Sequence, residues 1–242
     1  MAEYLNVLLL ALLPAGGMVV GTVLAELTGT SRRTLSRALH VASGVVLAVV
    51  AVELLPESLG GAAPPWAVVL GLCLGGAFYI LLEWLIERSA GGEESAGAWM
   101  IYTAVAVDLF SDGLMIGVGS VLSLQLALLL GLGQSMADLP EGFATAANFK
   151  NKGQPRGRRL LVAASLILPS LAGASLGYWL LRDRSEALQL TALAFTAGIL
   201  LIAAVEEMLK QAHEVAEDTR LSAAFLIGGF SLFTIFASYF DS

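Results

Sequence analysis

Eight stretches of about 20 mostly apolar residues follow one another along this chain, and they leave room for little else. They cover about 5–27, 36–59, 65–87, 98–122, 125–149, 158–181, 186–210 and 220–239. A hydrocarbon core ~30 Å thick takes about 20 residues of α-helix to cross. The runs are continuous and rich in Leu, Ala and Val, which argues against the ~10-residue alternating segments of a membrane barrel. Only 14% of the residues are charged, where soluble domains carry about 25%. The expected fold is therefore all-α and integral to a membrane: eight transmembrane helices in one polytopic domain, residues 1–242. The loops are too short to hold a further domain.

Charge sorts along the runs. Of 13 Lys and Arg, 11 fall on one side: Arg32, Arg33, Arg37, Arg88, Lys150, Lys152, Arg156, Arg158, Arg159, Lys210 and Arg220. Arg182 and Arg184 alone fall on the other. The positive-inside rule then puts both termini outside the cytoplasm. The basic residues are a topology signal, not a nucleic-acid patch, so the expected surroundings are the lipid bilayer. Glu3 is the sole charge before the first run, so 5–27 reads as a retained helix. Trp66, Trp84, Trp99, Trp179, Tyr178 and Tyr239 read as interfacial belt residues, and Cys73 as a small core residue. The histidines, His40 and His213, read as interfacial.

Runs 2 and 7 resemble each other: Ser43-Gly44 leads to Glu53-Leu54-Leu55, and Ala197-Gly198 leads to Glu207-Met208-Leu209. A repeat of this kind pairs helices 1–3 with helices 6–8, in opposite directions, around helices 4 and 5. Such inverted repeats place a site near the midplane.

Four acids interrupt runs 4 and 5. Asp108 and Asp112 are one helical turn apart, as are Asp138 and Glu141, so each pair shares a face. A charge at bilayer depth costs about 2.5–3.5 kcal/mol on insertion scales. No Lys or Arg lies between Tyr102 and Phe149 to pair them. A metal cation is the simplest shared partner, held by hard oxygen ligands. Further ligands are expected from Ser111, Gln134 and the Met136 carbonyl, which Pro140 deprives of its helical N–H. Gly113 and Gly142 are expected to let a neighbouring backbone come close. Glu53 and Glu57 on helix 2, and Glu206 and Glu207 on helix 7, read as pathway acids at opposite mouths of the site.

Asp138-Leu139-Pro140-Glu141-Gly142 and Ala42-Ser43-Gly44…Leu54-Leu55-Pro56-Glu57 resemble the fifth and second helices of the ZIP (Zrt/Irt-like protein) family. The resemblance implies eight helices, alternating access, divalent metal carried into the cytoplasm across the cell's inner (plasma) membrane, and a homodimer. Where the family has His-Asn-x-Pro-Glu-Gly in helix 4, this chain has Asp108, Leu109, Ser111 and Asp112 in place of His, Asn, Pro and Glu. Ala137 replaces a helix 5 ligand, Leu168-Pro169 stands for Glu-Pro in helix 6, and Glu206-Glu207 for His-Glu in helix 7. Every imidazole is gone, so the expectation is one oxygen-rich site without strong zinc selectivity. Its substrate would be Mn²⁺, Fe²⁺, Zn²⁺, Cd²⁺ or Co²⁺, with no tightly bound cofactor. Two rival readings are a non-transporting relative that senses metal or assembles with partners, and an intramembrane aspartyl protease built on Asp108 and Asp138. The protease lacks its Gly-x-Gly-Asp context and leaves Asp112 and Glu141 unexplained.

Overall fold

The computed structural model describes residues 2–28, 31–89, 94–216 and 220–240. Eight long helical segments account for nearly all of them: α1 Ala2–Leu27, α2 Arg32–Gly60, α3 Pro65–Ser89, α4 Glu94–Leu122, α5 Leu124–Asn151, α6 Arg156–Leu181, α7 Glu186–Val215 and α8 Arg220–Ser238. Seven are long and apolar enough to cross a membrane on those grounds alone; α5 is the exception. Gln134, Asp138 and Glu141 lower its hydropathy, and all three are buried. The other helices shield α5, so the lipid does not meet the residues that make it polar.

Proline placement explains where these helices bend. α1 is interrupted at Ala11, next to the carbonyl of Leu10 that Pro14 leaves without an N–H. α6 is interrupted at Leu166, next to Ser165, which Pro169 deprives in the same way. Ser170 Oγ donates to the Ala11 carbonyl at 2.6 Å and ties the two bends together. α2 widens to π-helical winding over Val49–Leu54, just before Pro56, and α7 does so over Ala203–Leu209. No proline accompanies the second widening.

Four helix pairs make the closest packing: α1 with α5, α4 with α6, α2 with α8, and α3 with α7. Exchanging α1 with α6, α2 with α7, α3 with α8 and α4 with α5 maps this set onto itself. The correspondence reaches single residues. A Cβ on Gly44 would meet the Leu226 carbonyl, and one on Gly198 would meet the Leu72 carbonyl. Gly198 is offset from Gly44 by the same number of residues as Leu226 is from Leu72. Gly142 meets the Met18 carbonyl as Gly113 meets that of Ser170. The one-residue turn at Ser123 makes α4 and α5 antiparallel. Since α1 runs alongside α5 and α6 alongside α4, the two triplets point opposite ways, as the run 2 and run 7 echo predicts.

Two bundles result, α1-α4-α5-α6 and α2-α3-α7-α8, which meet chiefly where α5 crosses α2 and α4 crosses α7. The loops that carry most of the basic residues share one end. There Arg159 of α6 grips Glu26 of α1 at 2.5 and 2.7 Å, both side chains being under a tenth exposed. At the other end Gln125 donates to the Phe240 carbonyl at 2.8 Å.

Three peripheral readings change. Cys73 is exposed on the outer face of α3, not in a core. Tyr178 is buried against Tyr4, with ring centroids 5.5 Å apart, and Arg182 stacks on it; it is no belt residue. Trp66, Trp84, Trp179 and Tyr239 are exposed as belt residues are. The side chain of Trp99 and residues 90–93 of the α3–α4 loop lie outside the described residues.

Candidate metal site

α4 and α5 bring their acids together at mid-helix. Asp108, Asp138 and Glu141 are buried, and one carboxylate oxygen from each lies within 4.8 Å of the other two. An ion bound at about 2.0–2.6 Å from each of three oxygens keeps all O···O separations below roughly 5 Å, so this spacing suits a shared divalent cation. Asp112 is fully buried beside Asp138, and Asp108 lies beside Glu141. Gln134 Nε2 donates to Asp112 Oδ1. That bond occupies one oxygen of Asp112 and fixes the orientation of its carboxyl.

Six buried oxygens around this point have no hydrogen-bond partner among the described residues: Asp108 Oδ2, Asp112 Oδ2, Gln134 Oε1, both oxygens of Asp138, and Glu141 Oε2. A single unsatisfied buried polar group costs about 1–3 kcal/mol, more when charged. Six converging acceptors with no donor call for a cation or protons. No guanidinium or ammonium reaches them: the described ion pairs, Glu26 with Arg156 and Arg159 and Arg182 with Asp183, all lie toward helix ends.

Two of the expected further ligands make other contacts as well. Ser111 Oγ donates to the Val107 carbonyl at 2.9 Å, which commits its hydroxyl proton to its own helix. The Met136 side chain is half-buried and packs on the apolar core of the bundle, whereas the ligand expected from this residue is its backbone carbonyl. Of the positions where a family ligand is replaced by an apolar residue, Leu109 and Ala137 are buried, whereas Leu168 is 68% exposed on the outer surface of α6.

The acids of α2 and α7 are placed unequally. Glu53 is buried within the widened turn of α2, and Glu57 is exposed nearer the end of that helix. Glu207 is half-buried, within electrostatic reach of Asp108 and Glu141, and accepts a hydrogen bond from Tyr79 Oη. Next to it opens a cavity of about 210 Å³, lined by Glu83, Glu206, Glu207 and Glu214, together with Tyr79 and Lys210. Acids thus lead from the buried cluster to the basic end of the bundle. Sequence reading missed Tyr79, which is one of several apolar-run aromatics until the fold sets it against Glu207. It also missed that His40 and His213 meet, their rings edge-on at 5.3 Å.

The ZIP Zinc transporter family matches residues 85–237, which span α4 through nearly all of α8 and contain every acid of the cluster. The chain belongs to the ZIP zinc transporter family. A second family, described as Predicted membrane protein (DUF2238), matches residues 2–131. No curated protein matches the chain. Family membership makes it a multi-pass membrane protein of a metal-transport family, and the acids of α4 and α5 lie within the ZIP match.

Proposed function

We propose that this ZIP protein carries divalent cations across the membrane through the site formed by Asp108, Asp112, Asp138 and Glu141. The carrying observation is the convergence of three buried carboxylates within 4.8 Å, with six partnerless oxygens and no basic residue. The substrate ion supplies the positive charge that the protein withholds. All the side-chain donors are oxygens, which suits Mn²⁺ and Fe²⁺ and is less selective for Zn²⁺, Cd²⁺ or Co²⁺. Asp108, Asp138 and Glu141 hold the ion, while Asp112, oriented by Gln134, adds charge from one turn away.

Transport then follows from the two-bundle construction. Within α1-α4-α5-α6, glycines bring backbones into contact, and Ser170 and Arg159 lock helix to helix. That bundle can move as a body against α2-α3-α7-α8 and carry the ion with it. The cavity lined by Glu83, Glu206, Glu207 and Glu214 gives a path between the site and the basic end. With the basic end in the cytoplasm and both termini outside, this is the release side of an importer in the cell's inner membrane, and Glu53 and Glu57 belong to the opposite approach. The test is flux of Mn²⁺, Fe²⁺, Zn²⁺, Cd²⁺ and Co²⁺ into proteoliposomes, with each of the four acids neutralised in turn. Loss of flux in each supports the reading. Unchanged flux would reject it.

A further inference from the structure

The exchange that relates the two triplets carries the acidic cavity of the basic end onto a place that is filled. Tyr79 and Glu83 of α3 and Glu206 and Glu207 of α7 line that cavity, closed on the α4 side by Ala104 and Val107. The offset that takes Gly44 to Gly198 also relates Tyr79 to Phe233, Glu83 to Ala237, Glu206 to Val52 and Glu207 to Glu53. The offset that takes Gly113 to Gly142 relates Ala104 to Gly133 and Val107 to Met136. Of these counterparts only Glu53 is charged.

The counterparts pack on one another. Phe233 is fully buried, and a Cβ on Gly133 would meet its ring at 2.6 Å and the Val49 side chain at 2.9 Å. Val49 opens the widened turn of α2 that holds Glu53. Val52, Met136, Phe236 and Ala237 join Phe233 and Val49 in one apolar cluster, with the Phe236 ring centroid 6.3 Å from that of Phe233. Glu53 is accordingly buried, whereas Glu207 is half-buried beside open space. One mouth thus has a cavity and a tyrosine hydroxyl on its glutamate. The other has a phenylalanine, which offers a hydrated ion neither oxygen nor charge, and an apolar constriction of this kind shuts a route by excluding water. The Phe233–Gly133 contact also joins α8 of one bundle to α5 of the other, so a shift between the bundles breaks it.

We propose that Phe233, seated on Gly133, is the gate that shuts the second mouth of the ion route, with Met136 and Phe236 completing the plug. Movement of α5 along α8 withdraws Gly133 from the ring and opens the way to Glu53, the counterpart of the opening beside Tyr79. Gly133 has no side chain to obstruct the ring, which is why the plug fits on this side. The gate serves the transport route proposed above and rests on that reading.

The test is the rate at which a hydrophilic maleimide labels a single cysteine in the full-length protein in detergent, where both mouths meet solvent. Cys73 is removed, and the new cysteine is C73S/E53C or C73S/E207C. E207C should label at least about tenfold faster than E53C, since a thiol reacts only where reagent reaches it. Adding F233A should speed E53C at least about tenfold and leave E207C within about twofold. F233L, which keeps an apolar branch on Gly133, should restore slow labelling. L39A removes a fully buried side chain from a different cluster and should leave E53C slow. Should F233A not fold, F236A truncates a half-buried ring of the same plug and should speed E53C about threefold. E53C labelling as fast as E207C, or sped no more by F233A or F236A than by L39A, would overturn the gate. Mn²⁺ flux through the native chain is measured alongside. Flux with E53C indifferent to the plug substitutions overturns the gate and leaves the transport reading standing. Absence of native flux overturns the transport reading, and the gate with it.

Discussion

Tyr79 of α3 donates its phenolic hydrogen bond to Glu207 of α7, beside the carboxylates of α4 and α5. The bond holds Glu207, which lies within electrostatic reach of Asp108 and Glu141, in one orientation where it lines the cavity. A hydrogen bond to a charged acceptor contributes about 1.5–3 kcal/mol. Tyr79→Phe should therefore cut flux roughly tenfold while equilibrium affinity at the buried site stays within about twofold, because the ligating oxygens are untouched. Paired flux and binding measurements on the variant check this.

The four acids should not be equivalent. Asp108, Asp138 and Glu141 converge within 4.8 Å, whereas Asp112 has an oxygen engaged by Gln134. Asp108→Asn, Asp138→Asn and Glu141→Gln should each weaken divalent binding by at least about a hundredfold, the scale of losing one buried charge-assisted contact. Asp112→Asn should weaken it by about tenfold or less. Isothermal titration with Mn²⁺ across the four variants gives the ranking.

How much of this was legible in the chain follows from what each residue's neighbours are. Apolar run length located all eight helices, because a lipid solvent imposes that signal helix by helix. The acids of α4 and α5 stood out because nothing basic shares their runs. The Glu53 and Glu207 echo announced the repeat because both sit at the widened turns of α2 and α7. Tyr79 was not legible, since its partner is 128 residues away and its own surroundings are ordinary. Cys73 and Tyr178 went the wrong way for one reason. Run position gives depth in the membrane but not which helix face meets lipid, and that depends on how helices pair.

Glycine positions at the helix crossings should be among the least tolerant in the chain. A Cβ at Gly142 or Gly113 meets a backbone carbonyl, which cannot rotate aside. Gly142→Ala and Gly113→Ala should each destabilise by about 1–3 kcal/mol or more. Gly16→Ala, where a Cβ meets nothing, should be neutral or mildly stabilising. Thermal unfolding in detergent separates the two groups.

Acid should weaken substrate binding. Carboxylates must be deprotonated to ligate, so binding releases protons and apparent affinity rises with pH. Lowering the pH should slow uptake in the native protein, and a pH indicator should register proton release when Mn²⁺ is added to protein in weak buffer. The D138N/E141Q variant should release almost none.

The central claim is that the α4–α5 carboxylate cluster is where a divalent cation sits on its way through the protein. It is tested most directly by Mn²⁺ flux into proteoliposomes carrying the native chain or the D138N/E141Q variant, at matched protein incorporation. The account predicts saturable flux for the native chain and flux at the empty-liposome level for the variant. Equal flux from the two would contradict it.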